Sequence, residues 1–209
     1  MSESTQMPLQ ACSIDFGTPG YGRQEHWSAG FPPGLSLIVD AEGEAKTALL
    51  RLLAGETAPE TGAVLWQGSD LRAQVRSNPA LVFWRDPRAD WPDISPVQWA
   101  RQQAMRYPDW SETAWQAHAQ GLGLQEHLHK EMFRLSTGGK RKVLLAAALA
   151  SGAPLTLIDE PEAALDATSI RYLHRALAEE AKHHQRVCVV ANFEEMPEVK
   201  WGQIVRLGV

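Results

Sequence analysis

Two short stretches hold residues whose types and spacing could do chemistry. Leu135-Ser136-Thr137-Gly138-Gly139-Lys140-Arg141-Lys142 places a glycine-flanked serine at a helix start, and 23 residues after that serine the apolar run Leu155-Thr156-Leu157-Ile158 ends in Asp159-Glu160-Pro161. A serine hydroxyl and the first backbone N–H groups of a helix are donors aimed at a phosphate. Two carboxylates delivered to the end of a buried strand can manage a metal ion and a water. A third stretch, Asp40-Ala41-Glu42-Gly43-Glu44-Ala45-Lys46-Thr47, supplies a lysine and a threonine at the start of another helix.

These groups need a scaffold, and the chain reads as one. Its 209 residues suit a single substantial domain, and 44% hydrophobic with 22% charged residues is ordinary for a globular protein. Short apolar runs alternate with alanine- and leucine-rich helices, the pattern of an α/β sheet. Leu35–Val39, Val64–Gln67, Ala80–Trp84, Leu155–Ile158, Val187–Ala191 and Gln203–Leu207 are strand candidates. Lys46–Ala54 reads as a helix stopped by Gly55, while Ser95-Pro96 and Ser111-Glu112 open two more. The segment 86–135 is helical in pattern and holds Trp91, Trp99, Trp110 and Trp115, which either fill a small core or form an exposed aromatic groove for a partner.

Composition excludes several classes. A net charge of −5 gives no electrostatic basis for nucleic acid. Lys140, Arg141 and Lys142 read as a solvated helix face. Cys12 and Cys188 are too few for a disulfide framework or zinc site, and Cys188 reads as a buried strand thiol. The histidine pairs His127/His129 and His183/His184 lack accompanying ligands and read as exposed helix ends. The polar N-terminus lacks the layout of a secretory signal, and the apolar stretch from Val143 to Ile158 is short for a membrane span. The expectation is a cytoplasmic chain that reaches the inner face of a membrane, if at all, through a partner.

With Ala164-Leu165-Asp166 following the carboxylates, the motifs resemble the ATP-binding cassette (ABC) family of nucleotide-binding domains, from about Ser13 to Leu207. The resemblance implies a P-loop NTPase fold: a mainly parallel sheet, an N-terminal β-rich part, and an inserted helical subdomain at 86–135 within one domain spanning 1–209. It implies ATP and Mg2+ as cofactors, a head-to-tail dimer and a transmembrane permease subunit. Asp159 and Thr47 would hold magnesium and Glu160 would polarise the attacking water. Gly43, Glu44, Ala45, Lys46, Thr47 and Ala48 would form the phosphate loop. Ser136 and Gly138 would clamp the nucleotide of the opposite subunit, with Asp166 at the dimer seam. Tyr21 or Phe16 would stack on adenine.

The phosphate loop departs from the pattern G-x-x-x-x-G-K-S/T, because Asp40 and Ala45 stand where glycines belong. A carboxylate about 6 Å from a phosphate costs roughly 1 kcal/mol in water and about 3 kcal/mol at an effective dielectric of 20. The Cβ of Ala45 strains the loop if this residue needs a glycine-only conformation. Weakened ATP affinity is the expectation. Two sensing positions also depart: Arg85 follows the strand where the family has a glutamine, and Phe193 falls on the switch histidine, with Asn192 beside it. The resemblance therefore implies the degenerate half of a heterodimer driving a membrane partner. A non-hydrolysing regulatory or scaffold protein, and an ABC ATPase without a transporter, remain as alternatives.

Overall fold

A computed structural model describes residues 7–18, 21–41, 45–183 and 185–208. In chain order its elements are β1 (Leu9–Thr18), β2 (Tyr21–Phe31), β3 (Gly34–Val39), α1 (Lys46–Leu53), β4 (Ala63–Trp66), β5 (Ser69–Asp70), α2 (Leu71–Ser77), β6 (Val82–Phe83), α3 (Pro96–Arg106), α4 (Glu112–Gly121), α5 (Thr137–Ala150), β7 (Leu155–Asp159), α6 (Ala167–Glu180), β8 (Val187–Asn192) and β9 (Gln203–Arg206).

Two sheets result. One is antiparallel with order β2-β1-β4-β5; the other is parallel with order β6-β7-β8-β3-β9. β3, β7 and β8 are buried along nearly their whole length, which is why they read as unbroken apolar runs instead of alternating ones. α1 lies between the sheets: Leu49, Leu50, Leu52 and Leu53 share a core with Leu9, Ile14 and Phe31 on one side and Leu157 and Val189 on the other. α5 is buried at every position from Val143 to Ala150, because it packs against α3, α4 and β7.

Ends of elements follow local chemistry. Gly55 stops α1 at φ +69°, as the sequence predicts. Ser95 begins α3 with a reciprocal capping box to Gln98, and Ser111 caps α4. Ala80–Trp84 is shorter than its apolar pattern suggests: Pro79–Leu81 forms a 3-10 turn capped by Asn78, and the ladder to β7 starts only at Val82. β4 ends at Trp66 because Gln67 and Gly68, both at positive φ, turn the chain into β5.

The four tryptophans fill a core. Trp99 and Trp115 are buried, Trp91 packs edge-on to Trp99 at 5.0 Å between ring centroids, and Trp110 lies 5.9 Å from Trp115. α4 is held to α6 by Tyr172, whose hydroxyl donates to the Ala117 carbonyl. Gly121 permits this approach, since a Cβ there would sit 1.8 Å from the Tyr172 ring.

Candidate functional site

The parallel register brings two of the three chemical stretches, together with Phe193, to one edge. Val39 pairs with Asn192, and Asp159 with Ala191, so β3, β7 and β8 deliver Asp40, Glu160 and Phe193 to the same carboxyl end of the sheet. Open α/β sheets bind ligands at that edge.

The half expected to hold a metal is assembled. Thr47, in the first turn of α1, donates from Oγ1 to Asp159 Oδ2 at 2.7 Å. Asp159 Oδ1 is buried without a hydrogen-bond partner. Burial pushes the Asp159 carboxyl above the usual carboxylate range; the Thr47 hydrogen bond opposes this and the neighbouring Glu160 adds to it. A bound dication reverses that logic by favouring the ionised form. This donor set, a hydroxyl beside a carboxylate with an unsatisfied oxygen, fits magnesium.

The phosphate half is different. Lys46 is fully buried, with Nζ 3.0 Å from Glu160 Oε1 and 3.5 Å from the centroid of the Phe193 ring. Asp40 is 2% exposed, and its Oδ2 accepts from the backbone N–H of Ala45 at 2.8 Å and of Lys46 at 2.9 Å. Among the described residues, two backbone donors and the cation of the phosphate loop are therefore already engaged by side chains of this chain. In this arrangement they are not free to receive a phosphate. Ala45 itself carries no strain: φ −93°, ψ −28° is ordinary right-handed backbone, so its Cβ is harmless. Ala48 is half-buried one turn into α1, and Gly43 and Glu44 lie outside the described residues.

Glu160 holds φ +46° and Ala164 φ +61°, uncommon for residues with side chains and frequent at functional loops. Arg88, which the sequence reading did not single out, approaches Glu160 Oε1 at 3.9 Å. Its turn is set by Asp86, which accepts from the Arg88 N–H and pairs with Arg51 at 2.5 Å. Arg85 is not brought to the site. Its guanidinium stacks on Trp91 at 4.4 Å and donates to the carbonyls of Ala89 and Asp90. The Asn192 side-chain amide donates to the Glu194 carbonyl.

At the other motif, Ser136 caps α5 through Oγ, accepting from Gly139 N–H at 3.1 Å, while the residue stays exposed. Gly138 is buried against the loop after β7: a Cβ there would meet the Ala164 carbonyl at 2.3 Å. The basic cluster is more than a solvated face. Arg141 donates to the Asp159 carbonyl at 2.6 Å, and Lys142 pairs with Asp166 at 2.6 Å. Asp166 caps α6 at Ser169, and the Lys142 and Ser169 contacts hold its carboxyl far below the usual range. Phe16 is buried against Trp27 at 5.4 Å, which removes it as a stacking face, and the Tyr21 side chain lies outside the described residues. Among the described residues no helix is long and apolar enough to cross a membrane.

Residues 36–163 match the family model described as ABC transporter. The cytochrome c biogenesis ATP-binding export protein CcmA of Pseudomonas aeruginosa is 33% identical over 190 residues, covering 88% of this chain and 91% of that protein. For the protein of the same name in Alkalilimnicola ehrlichii the match is 33% over 150 residues, or 69% of this chain and 63% of that protein, so there the chain spans less than two thirds of its relative. ABC transporter I family member 1 of Arabidopsis thaliana is 26% identical over 181 residues, covering 83% and 76%. Among solved structures, an ABC transporter ATP-binding protein from Pyrococcus furiosus superposes with a TM-score of 0.75 at 18% identity, covering 95% of this chain and 96% of that one. A bacterial ABC transporter cassette solved as a dimer gives 0.74 at 14% identity, covering 95% and 94%. At these identities the superpositions establish the fold.

Proposed function

The chain belongs to the ABC transporter family, as a nucleotide-binding domain with that family's P-loop NTPase fold, and on that premise we propose that it is the degenerate half of a two-cassette assembly. Its own site is engaged internally, and its Ser136 face completes the nucleotide site of a second, catalytically complete cassette. The observation that carries this reading is the contrast between the two motifs. Lys46 is held by Glu160 and Phe193, whereas Ser136 is exposed with its hydroxyl proton available to a ligand across an interface. The helical segment 86–135 acts as the inserted subdomain, and a membrane-embedded permease subunit is the third member. Relatives named as export proteins of cytochrome c biogenesis support such a membrane partner.

A head-to-tail arrangement gives each substitution a separate meaning. Ser136 and Gly138 serve the partner's nucleotide, while Lys46, Asp159 and Glu160 serve this chain's own. ATP turnover of the purified assembly is the test. Ser136→Arg, which places bulk and charge at the clamp, should lower turnover about 100-fold. Glu160→Gln should lower it far less. The reverse order, or brisk Glu160-dependent hydrolysis by this chain alone, contradicts the proposal.

A regulatory scaffold with no turnover anywhere is the second reading, favoured by the same Lys46–Glu160 contact. It predicts an assembly in which neither substitution changes ATP consumption.

A further inference from the structure

We infer that Asp40 is an internal phosphate mimic: its tethered carboxylate occupies the phosphate-binding amides at the start of α1 and decides what the site will accept. The inference rests on the reading above only for the location of the nucleotide site.

The geometry is that of a bound anion. One carboxylate oxygen, Asp40 Oδ2, receives two successive backbone N–H groups, from Ala45 and Lys46, at 2.8 and 2.9 Å. Successive amides converging on one oxygen are how backbone concavities hold a phosphate. Charge assistance makes such bonds about twice as strong as neutral ones, and the positive end of α1 adds to them. The contact is buried, with Asp40 2% and Ala45 1% exposed, so water weakens it little.

The tether is short and fixed. Asp40 directly follows β3, and its own N–H donates to the Asn192 carbonyl at the end of β8 at 3.1 Å. Its carboxylate thus reaches the amides five and six residues ahead from an anchored backbone. An internal ligand of this kind competes at an effective concentration on the order of millimolar or higher. A free nucleotide must displace it, and its apparent affinity falls by the fraction of molecules in which the amides are open.

The surrounding contacts are consistent with this resting state. Lys46 Nζ is paired with Glu160 Oε1 at 3.0 Å. Simple repulsion between Asp40 and a phosphate would weaken binding while leaving the amides unoccupied; here the amides themselves are taken. Ala45, the other departure from the glycine pattern, sits in ordinary backbone and adds no obstruction of its own.

The test is the MgATP affinity of the purified chain and of Asp40→Gly, Asp40→Ala and Ala45→Gly, each checked for an intact fold by circular dichroism and thermal melting. Asp40→Gly and Asp40→Ala should both tighten binding about tenfold or more. That gain should disappear when Lys46→Ala is added, and Ala45→Gly should recover less of it. Without nucleotide, hydrogen exchange at the Ala45 and Lys46 amides should quicken in both Asp40 variants. The inference is overturned if folded Asp40→Gly and Asp40→Ala bind no tighter than the natural chain, or if Ala45→Gly matches their gain. Either result leaves the Ser136-dependent turnover of the assembly to stand or fall separately.

Discussion

Lys46 Nζ lies 3.0 Å from Glu160 Oε1, joining the cation expected to hold a phosphate to the carboxylate expected to polarise water. Lys46 has no exposed surface, and its ammonium also faces the Phe193 ring. Removing one member of a buried pair leaves the other charge uncompensated. Lys46→Met should therefore destabilise the fold by about 3 kcal/mol. Glu160→Gln, which keeps an acceptor oxygen, should cost about 1 kcal/mol. Urea unfolding of both variants checks the order; equal and negligible losses would show that the pair does not hold the site.

Gly138 and Gly139 are adjacent, yet their surroundings differ. A Cβ at Gly138 would sit 2.3 Å from the Ala164 carbonyl, whereas one at Gly139 meets no backbone, only the Leu135 side chain at 3.3 Å and Ser136 Oγ at 3.5 Å. Gly138→Ala should cost about 1–3 kcal/mol by displacing the loop after β7. Gly139→Ala should be close to neutral. Denaturation midpoints of the two variants give the comparison.

Arg186 joins the ends of three elements. Its guanidinium donates to the carbonyls of Ala148 and Ala153, the hydroxyls of Ser151 and Thr156, and the Glu180 carboxylate, at 2.7 to 3.1 Å. Arg186→Met should cost about 3–5 kcal/mol by orphaning the buried Glu180. Arg186→Lys should recover only part, since a point charge cannot reproduce the planar fork. Thermal melts of the three proteins test this.

Burial pushes Tyr107 and Cys188 each up to about 12. Both groups stay neutral in the fold and ionise earlier in the unfolded chain, so the folded state binds more protons at alkaline pH. Their contribution is intact below the unfolded values of about 9 and 10 and is lost as pH rises toward 12. Urea midpoints measured from pH 8 upward should fall progressively, and Tyr107→Phe should flatten part of the decline. In the native protein at pH 8, Cys188 should resist a thiol reagent until the chain unfolds.

The parallel sheet and its helices were legible because buried strands and capped helices leave local marks. Leu155–Ile158 and Val187–Ala191 are unbroken apolar runs, and Ser95 and Ser111 carry their capping signals in the residues that follow. β1 and β2 were not read from the residues themselves, and only the family resemblance implied a β-rich N-terminal part, because their pairing is interrupted by register shifts that break any alternating pattern. Arg88 escaped notice, and Arg141 read as part of a solvated face, for another reason: their contacts with Glu160 and Asp159 join residues far apart in the chain. Asp40 was recognisable as a misplaced charge. That its carboxylate turns back onto the Ala45 and Lys46 amides depends on loop geometry, which composition does not encode.

Calorimetric titration of MgATP into the purified chain, beside its Lys46→Ala variant, is the most direct test of a site closed by its own side chains. Weak binding that Lys46→Ala hardly changes is the predicted result, because Lys46 is committed to Glu160 and the neighbouring amides to Asp40. A micromolar or tighter dissociation constant that Lys46→Ala abolishes would contradict it.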